Sequence, residues 1–462
     1  MAGALDKIGY ANEYRSSIFI QIISLSLLIA IAVGLLISWS NTVLNLTGFI
    51  AIISVIYAAL RLAACLAQKP KPSQNIAIDN WPNYTVLVPL FHEANMVPQL
   101  MSALSKLDYP EEKLEIFMIC EAVDPSTVEE VRKRIGGVFH LVIVPPGSPQ
   151  TKPRALNFAM QRARGDYVTI YDAEDIPDPE QLKAAIRAFS RDDKLGALQA
   201  PLDYANANTN SLTRQFGLEY AALFHVWVPF LSALGLPFPL GGTSNHMRRL
   251  AIDEIEGWDS HNVTEDADLS FRLAAQNWRL GYITPPTQEE AVSDFKAWHF
   301  QRARWMKGFM QTWQCHMRAP FAPGGLKGFA RFFTLQLTVG LTLISALFHL
   351  PVMAGIIIYG LHQNILGLPF TIPTPFLISL AISYMAGMII GAIGALRAGK
   401  PALLLSVPFM PLYWFALCAP TLRALWELRR IPFHWHKTEH GITSHTPLKT
   451  PPERLTSLHE HI

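Results

Sequence analysis

Long uncharged apolar runs constrain this chain more than any other feature of its sequence. The run Ser17 to Trp39 carries no charged residue, and the run Val43 to Ala67 carries only Arg61 near its end. A helix of about twenty residues crosses a hydrocarbon core of ~30 Å, so each run is long enough to span a membrane. We expect two transmembrane helices here, joined by the short loop SNT.

Basic residues on both sides of this helix pair predict its orientation. Lys7 and Arg15 precede the pair, and Lys69 and Lys71 follow it. The positive-inside rule places both flanks in the cytoplasm. Because the polar N-terminal residues are not followed by a short apolar stretch with a cleavage site, we expect no cleaved signal peptide.

The chain becomes apolar again from Phe332 onward. The runs Phe332 to Tyr359 and Phe376 to Leu396 predict two further crossings. A third run, Ala402 to Leu422, contains three prolines and precedes a basic stretch, which one more crossing would place outside. We therefore predict a re-entrant or interfacial segment here. The alternative is that Phe332 to Tyr359 crosses twice.

The region between these membrane segments has the pattern of an α/β domain. Helical stretches such as Ala94 to Leu107 and Ser126 to Ile135 separate short apolar runs with little alternation, which predict a mostly parallel sheet covered on both faces. Ligands of such sheets bind at the carboxyl ends of the strands, so a nucleotide site is expected there. The predicted strands are Tyr84 to Leu90, Leu114 to Cys120, Phe139 to Val144 and Tyr167 to Tyr171.

Charge and cysteine content exclude two classes of site. A formal net charge of +2 gives no basic surface for tracking phosphates, so we expect no nucleic-acid partner. The four cysteines lack zinc-type spacing, and we expect neither a disulfide nor a zinc site.

The motif YDAED follows the fourth predicted strand. It places Asp172 and Glu174 two residues apart, with Asp175 adjacent. Three carboxylates this close repel one another unless a cation is present, and a divalent ion bridging diphosphate oxygens would supply it. The alternative is an acidic turn that caps the next helix.

The motif TED begins another predicted helix. Thr264 fits the N-cap position, and the helix dipole favours the acidic Glu265 and Asp266 in the first turn. The same dipole is expected to keep Asp266 deprotonated at neutral pH. A carboxylate held beside an acceptor hydroxyl could take its proton during a transfer reaction.

The motif QRARW and a glycine-rich loop complete the set. Gln301 and Arg304 are three residues apart, hence on one helix face, where Arg304 can donate to a diphosphate. Trp305 offers a flat platform for a sugar. In the loop PLGGTSNHMRR, Thr243 and Ser244 could reach a polar substrate. The alternatives are an amphipathic surface helix and an ordinary turn.

Two further segments fit the membrane surface. The stretch Tyr220 to Pro239 is apolar but interrupted by prolines, and Phe300 to Met317 alternates basic and aromatic residues. We interpret residues 215–239 and 300–317 as interfacial helices.

In this order, DxE, GGTSN, TED and QxxRW on an α/β domain flanked by membrane helices resemble the membrane-integrated family 2 glycosyltransferases, which include the cellulose, curdlan and hyaluronan synthases. The resemblance covers Trp81 to Trp313. It implies a cytoplasmic GT-A-type nucleotide-sugar domain at residues 76–328, between membrane regions at residues 1–75 and 329–430. Residues 431–462 form a cytoplasmic tail.

The resemblance also implies roles for individual residues. Asp266 is the general base, and Asp172 and Glu174 hold Mg²⁺ or Mn²⁺, although the family usually has a second aspartate where Glu174 stands. The residues implied for the nucleotide-sugar are Glu93, Glu121, Asp124, Lys152, Asp172, Gln301 and Arg304. Those implied for the acceptor are Trp305, Thr243, Ser244 and Glu265.

The C-terminal segment Phe433 to Gly441 (FHWHKTEHG) resembles the W-x-K-T-x-H-G tail of bacterial polysaccharide-type members. By analogy it could close over the nucleotide. The alternative is a basic tail on anionic lipid.

Together these features predict an inverting glycosyltransferase in the bacterial inner membrane. We expect the enzyme to move a sugar onto a growing β-glycan, and UDP-glucose is the first candidate for the donor. The glycan would leave the cell through a channel formed by the membrane helices of the enzyme. The alternative is a lipid acceptor and a glycolipid product. A membrane scaffold with an inactive nucleotide fold is a third hypothesis, which the intact TED and QRARW motifs disfavour.

Overall fold

The computed structural model describes residues 5–13, 18–70, 78–368 and 371–433. It begins with a short helix and two long apolar helices, α1 (Leu5–Ile8), α2 (Ile18–Ile37) and α3 (Trp39–Leu66). Ser38 separates α2 from α3 and caps α3 by accepting a hydrogen bond from Asn41 N. The loop predicted at SNT is therefore wrong, because these residues already belong to the first turn of α3.

The α/β domain contains a seven-stranded sheet in the order β3-β2-β1-β4-β8-β6-β9 and a three-stranded sheet in the order β5-β10-β7. In the larger sheet only β8 runs antiparallel to its neighbours β4 and β6. The strands are β1 (Tyr84–Leu90), β2 (Leu114–Glu121), β3 (Phe139–Val144), β4 (Tyr167–Ile170), β5 (Ile176–Pro177), β6 (Leu195–Gln199), β7 (Leu202–Tyr204), β8 (Asn245–Arg248), β9 (Arg279–Tyr282) and β10 (Thr287–Glu289).

The four predicted strands are confirmed to within one residue. The side chains of β1 and β2 are buried on both faces of the sheet, which explains their uninterrupted apolar sequence. Both faces are covered by α4 (Val97–Leu104), α5 (Pro125–Arg132), α6 (Lys152–Met160), α7 (Gln181–Phe189), α8 (Ser211–Ala222), α9 (Val228–Ala233), α10 (Arg249–Glu254), α11 (Glu265–Ala275) and α12 (Phe295–His316). The predicted mostly parallel α/β fold is confirmed.

The C-terminal region is again helical and apolar. It contains α13 (Gly325–Leu335), α14 (Leu341–Leu366), α15 (Thr374–Arg397), a 3₁₀ segment (Pro401–Phe409), α16 (Met410–Ala416) and α17 (Cys418–Arg430). Within the described part of the chain, five helical segments are long and apolar enough to cross a membrane: Asn41–Leu66, Ser211–Ala233, Gly325–Leu366, Thr374–Arg397 and Pro401–Arg430.

The segment Ser211–Ala233, which the sequence suggests is interfacial, packs directly against α15. A Cβ atom built on Gly394 of α15 would lie 2.5 Å from the carbonyl carbon of Ala221. Only glycine permits this approach, so the domain and the membrane helices are joined at this point.

The last apolar segment contacts the α/β domain at both of its ends. Before it, Lys400 Nζ donates to the carbonyl of Tyr204 over 2.9 Å. At its other end, Glu427 forms a fully buried ion pair with Lys307 of α12, with 3.0 Å between Nζ and Oε2. Because both ends meet the same domain, this arrangement favours the predicted re-entrant segment over a third crossing.

The alternation of basic and aromatic residues in α12 suggests a surface, but two of the basic residues, Arg302 and Lys307, are buried. Arg302 is only 2% exposed and donates to Glu219 and to the Tyr413 hydroxyl, and Lys307 is buried against Glu427. Arg302 and Lys307 therefore bind other parts of the protein, and the interfacial position of residues 300–317 stays a prediction. Their partners come from α8 and from α16 and α17, which local sequence cannot indicate.

Candidate active site

A cavity of about 950 Å³ opens at the carboxyl ends of β1, β2 and β4 and continues between α3, α14 and α15. It brings together most of the residues that the sequence assigns to a site. The predicted residues that line it are Glu93, Glu121, Lys152, Asp172, Glu174, Thr243, Glu265, Asp266, Gln301, Arg304 and Trp305.

Lys152, at the start of α6, connects three of the motifs. Its Nζ donates to the Asp172 carboxylate and, over 2.8 Å, to the carbonyl oxygen of Gly242. A Cβ atom built on Gly242 would lie 3.5 Å from Asp266 Oδ2. Burial alone would lower the pKa of Lys152, but Asp172 and Glu265 outweigh it and raise the pKa. Lys152 is therefore a fixed positive charge between the two acidic motifs.

The acidic turn after β4 carries three carboxylates, Asp172, Glu174 and Asp175. Asp175 Oδ2 accepts from Asp172 N over 2.7 Å and from the Thr243 hydroxyl, whereas Asp175 Oδ1 is buried with no hydrogen-bond partner among the described residues. Burial, followed by the Asp172 charge, raises the pKa of Asp175 well above its ordinary value. The same causes raise the pKa of Glu174 to about 8.

These observations fit a divalent cation that binds together with a diphosphate. Within the described ranges, no three His, Cys, Asp or Glu side chains are arranged to hold an ion by themselves. Mg²⁺ is usually held by one or two carboxylates together with substrate phosphates, and Asp172 and Glu174 would supply that number. Their assignment as metal ligands stays a prediction.

Asp266 lies in the first turn of α11, next to Glu265. Ala267 N donates to Asp266 Oδ1 over 2.8 Å. Burial, followed by the Glu265 charge, raises the pKa of Asp266 to about 7. The expectation that the helix dipole keeps this group fully ionised at neutral pH is wrong, because the loss of water outweighs the favourable helix end. A pKa near 7 is suited to a general base.

Thr264 occupies the N-cap position of α11 as predicted, but its side chain does not cap the helix. Its backbone N–H donates to Asn262 Oδ1 over 3.0 Å, and its side chain packs against α12. A Cβ atom built on Gly308 of α12 would lie 2.4 Å from the Thr264 side chain. Gly308 thus allows α12 to pack directly on the turn that carries Asp266.

The QRARW residues of α12 face the same carboxylates. Burial lowers the pKa of Arg304, while Glu265, Asp266 and Asp172 act in the opposite direction. Gln301 Oε1 is buried with no hydrogen-bond partner in the described part of the chain. Arg304 can therefore bind a negatively charged group in the cavity, and Gln301 Oε1 can accept a hydrogen bond from a bound molecule.

Trp305 lies on the cavity wall among aromatic residues. The Arg302 guanidinium carbon lies 4.4 Å from the Trp305 ring centroid, and the rings of Phe216 and Tyr220 lie 6.2 and 6.3 Å away. These contacts fix the ring while it still lines the cavity.

Two predicted site residues do not line the cavity, and a third has another partner. Asp124 caps α5 by accepting from Thr127 N and also accepts from His92 N over 2.6 Å. Ser244 is fully buried, and its hydroxyl lies 2.6 Å from that of Thr287. Direct binding of the nucleotide by Asp124 and of the acceptor by Ser244 is therefore wrong, because internal bonds occupy their oxygens. The Thr243 hydroxyl positions Asp175.

Glu121 and Glu93 lie at the ends of neighbouring strands. Glu121 Oε2 accepts from Arg154 Nη2 over 2.9 Å, so an ion pair forms part of this wall. The backbone N–H of Glu93 donates to the Thr127 hydroxyl. Both carboxylates line the cavity, and their binding of a nucleotide stays a prediction.

Sequence reasoning missed the cavity residues between the membrane helices, among them His349, Tyr384 and Trp414. They lie in uniformly apolar runs without a local motif. Arg61 gave the one usable signal, since it is the only charged residue in the second apolar run.

Two protein-family models match this chain. The model of Glycosyl transferase family group 2 matches residues 167–425, and that of Glycosyl transferase family 2 matches residues 85–236. The chain is 28% identical over 269 residues to a beta-monoglucosyldiacylglycerol synthase of Synechocystis sp., which is 56% of this chain and 55% of that protein. It is 24% identical over 337 residues to the cellulose synthase catalytic subunit of Komagataeibacter sucrofermentans, 69% of this chain and 44% of that one.

The chain thus spans about half the length of the curated relatives it matches. Among solved structures, the mannosyltransferase PcManGT from Pyrobaculum calidifontis, in complex with GDP-Man and Mn²⁺, is 19% identical with a TM-score of 0.49. That match covers 82% of this chain and 98% of PcManGT.

Proposed function

Because this chain belongs to glycosyl transferase family group 2, as its motifs predict, we propose that it transfers a sugar from a nucleotide-sugar to an acceptor hydroxyl with inversion. The observation that carries this proposal is the grouping around Gly242. Lys152 and Asp172, which suit a diphosphate and its cation, lie beside Asp266, a carboxylate whose pKa suits a general base.

The nucleotide-sugar would bind with its diphosphate between α6 and α12. Lys152 and Arg304 supply positive charge, Gln301 supplies hydrogen bonds, and Asp172 and Glu174 would hold a divalent cation. That cation, when bound, neutralises charge on the leaving diphosphate. Lys152 and Arg304 stabilise the same charge from the protein side, because they are held in place before the reaction begins.

Asp266 would take the proton of the attacking hydroxyl. The hydroxyl oxygen forms a bond to the anomeric carbon as the bond from that carbon to the diphosphate oxygen breaks. Attack opposite the leaving group inverts the anomeric configuration, so an α-linked nucleotide-sugar gives a β-linked product. The proton remains on Asp266 until it is lost to solvent.

The membrane helices define where the acceptor comes from. The cavity continues from the carboxylates into the space between α3, α14 and α15, so an acceptor would approach from the membrane side. From the sequence we infer a bacterial inner-membrane protein with the α/β domain and both ends of the Lys400 to Glu427 segment in the cytoplasm. The expected acceptors are a growing β-glycan, with export, or a lipid.

A nucleotide-release assay tests this function. Purified protein in phosphatidylcholine vesicles that also contain total bacterial lipid is given UDP-glucose or GDP-mannose with Mg²⁺ or Mn²⁺. We expect one of the two nucleotide-sugars, and UDP-glucose before GDP-mannose, to release free nucleotide. A β-linked glycosylated product should form at the same time. Failure to bind either nucleotide in calorimetry and to release it in the assay would contradict the proposal.

A further inference from the structure

The cavity extends well beyond the carboxylates, along the apolar helices α3, α14 and α15. On α15 its lining runs from Ile390 to Phe376, which corresponds to about 21 Å at ~1.5 Å per residue. This part of the wall is largely apolar, with aromatic rings such as those of Phe348, Phe376 and Trp414 beside the aliphatic side chains of Ile50, Ile53, Leu341, Ile344, Val352 and Leu380.

Three of the hydroxyl groups in this part of the wall are bonded to backbone carbonyls of the protein itself. The hydroxyls of Thr338 and Thr342 each donate to a carbonyl one turn earlier on their own helix, over 2.6 Å. Ser383 donates to the carbonyl of Ser54 over 3.1 Å. These groups are therefore not arranged to serve a polar polymer along the length of the cavity.

One arginine interrupts this apolar wall. Arg61 of α3 lies with its guanidinium carbon 4.1 Å from the ring centroid of Tyr57. A Cβ atom built on Gly387 of α15 would lie 3.2 Å from Arg61 Nη1. Arg397 donates to the carbonyls of Cys65 and Ala67, so α3 and α15 end at the same level.

The Arg61 guanidinium therefore lies far from the helix ends. Ten residues, or about 15 Å, separate Gly387 from Arg397 along α15. Side chains of a helix tilt towards its N-terminus, which directs Arg61 further from the cytoplasmic end of α3. A charge at this depth among apolar helices is costly and usually marks a functional position.

A second polar group, Tyr384, lies on α15 one turn before Gly387. The Tyr384 hydroxyl is buried and has no hydrogen-bond partner within the described ranges. Its ring lies 5.5 Å from that of Trp414, and a Cβ atom on Gly387 would lie 2.7 Å from the same indole. Arg61 and Tyr384 thus place hydrogen-bond donors on either side of Gly387 and Trp414, in a largely apolar part of the cavity.

An acceptor in this cavity has to match both features. A glycan carries hydroxyls on every residue, and the largely apolar wall would leave most of them without partners. A lipid has hydrocarbon chains for the wall and oxygens confined to one end. We propose that the acceptor is a lipid, with its chains between α3, α14 and α15 and its ester or phosphate oxygens bound by Arg61 and Tyr384. This proposal rests on the proposed glycosyl transfer.

The test uses purified protein in phosphatidylcholine vesicles with the radiolabelled nucleotide-sugar that it binds. One sample contains diacylglycerol, one contains phosphatidylglycerol, and one contains a short β-gluco-oligosaccharide in solution. We expect label in the organic extract with one of the two lipids, and the lipid that is used shows whether Arg61 meets ester or phosphate oxygens. Transfer to the oligosaccharide alone would overturn the lipid acceptor but leave glycosyl transfer standing. No transfer in any sample would overturn both.

Two tryptophan variants of α14 localise the lipid. Val352→Trp fills the cavity, whereas Ile358→Trp adds the same bulk at a side chain that is 66% exposed on the same helix. Val352→Trp should reduce labelled lipid by about tenfold or more and leave nucleotide binding unchanged, while Ile358→Trp should match the unmodified protein. Arg61→Gln should reduce lipid co-purifying with the protein, measured by mass spectrometry, and Arg61→Lys should restore part of it. Equal labelling by both tryptophan variants would overturn the location.

Discussion

His316 donates from Nε2 to Asp268 Oδ1 over 2.9 Å, two residues after Asp266 on α11. The other ring nitrogen, Nδ1, accepts from Arg331 Nη1 over 2.8 Å, so the imidazole carries its proton on Nε2. Burial lowers the pKa of His316 to about 4, which keeps this tautomer neutral at physiological pH. A neutral histidine therefore connects the TED helix to the membrane-side helix α13.

Loss of this link should destabilise the protein. His316→Phe removes the donor to Asp268 and the acceptor for Arg331, and both of those residues are at most 1% exposed. We expect a loss of about 1–3 kcal/mol in the free energy of unfolding, measured by thermal or chemical denaturation in detergent. His316→Gln is the control, because its amide can donate to Asp268 and accept from Arg331. If His316→Phe unfolds like the unmodified protein, this network does not support α11.

The metal prediction concerns Asp172. Asp172→Asn removes one negative charge from the site for a diphosphate and its cation, and it weakens the ion pair with Lys152. We expect nearly complete loss of transfer, while the circular dichroism spectrum is unchanged because the residue lies at a strand end. Excess chelator should likewise stop transfer by the unmodified protein, and added Mg²⁺ or Mn²⁺ should restore it. Full turnover in chelator would contradict metal binding by Asp172 and Glu174.

Glu174 should make stability depend on pH in the absence of a divalent cation. Folding raises the pKa of Glu174 from 4.5 to about 8. The favourable contribution of Glu174 to the free energy of unfolding is therefore complete below about pH 4.5, the pKa in the unfolded chain. This contribution is lost as the pH rises through about 8. We expect the unfolding temperature to fall between about pH 5 and pH 9, and the fall to be smaller with UDP and Mg²⁺. Glu174→Gln should flatten the profile, whereas Glu111→Gln at an exposed position should not. A profile that rises over this range would rule out the raised pKa.

The strands were predictable because they are local. A buried parallel strand has an uninterrupted apolar sequence, and β1 to β4 are such strands. The positions of polar side-chain atoms were not predictable from the sequence, because these atoms bond to partners far along the chain. Nothing near Ser244 indicates that its hydroxyl meets Thr287, and nothing near Arg302 indicates Glu219. The pKa of Asp266 was mispredicted for the same reason, because its burial comes from tertiary packing.

Trp305 should act on the acceptor and leave nucleotide binding intact. It lines the cavity between the carboxylates and the membrane helices, and neighbouring aromatic rings and Arg302 fix its ring. Trp305→Ala should raise the acceptor KM or lower product formation by about tenfold, while the Kd for the nucleotide, measured by calorimetry, stays unchanged. Trp305→Phe should retain an intermediate rate. An equal loss of nucleotide binding and product formation would contradict this separation of roles.

Asp266 should be the catalytic base, and its pKa gives the reaction a specific pH dependence. Only the deprotonated carboxylate accepts a proton, and its pKa is raised to about 7, so the rate should be half-maximal near pH 7 and level off at higher pH. Asp266→Asn keeps nearly the same shape but cannot accept a proton. It should lower transfer by ~10² to 10⁴-fold, abolish the pH dependence near 7, and leave nucleotide affinity nearly unchanged. Glu265→Gln is the matched control, because it changes the neighbouring carboxylate, which lines the same cavity, in the same near-isosteric way. It removes a repulsive charge beside Asp266, so the remaining activity should reach its plateau at a lower pH. Near-normal turnover of Asp266→Asn together with complete loss in Glu265→Gln would exchange the two roles.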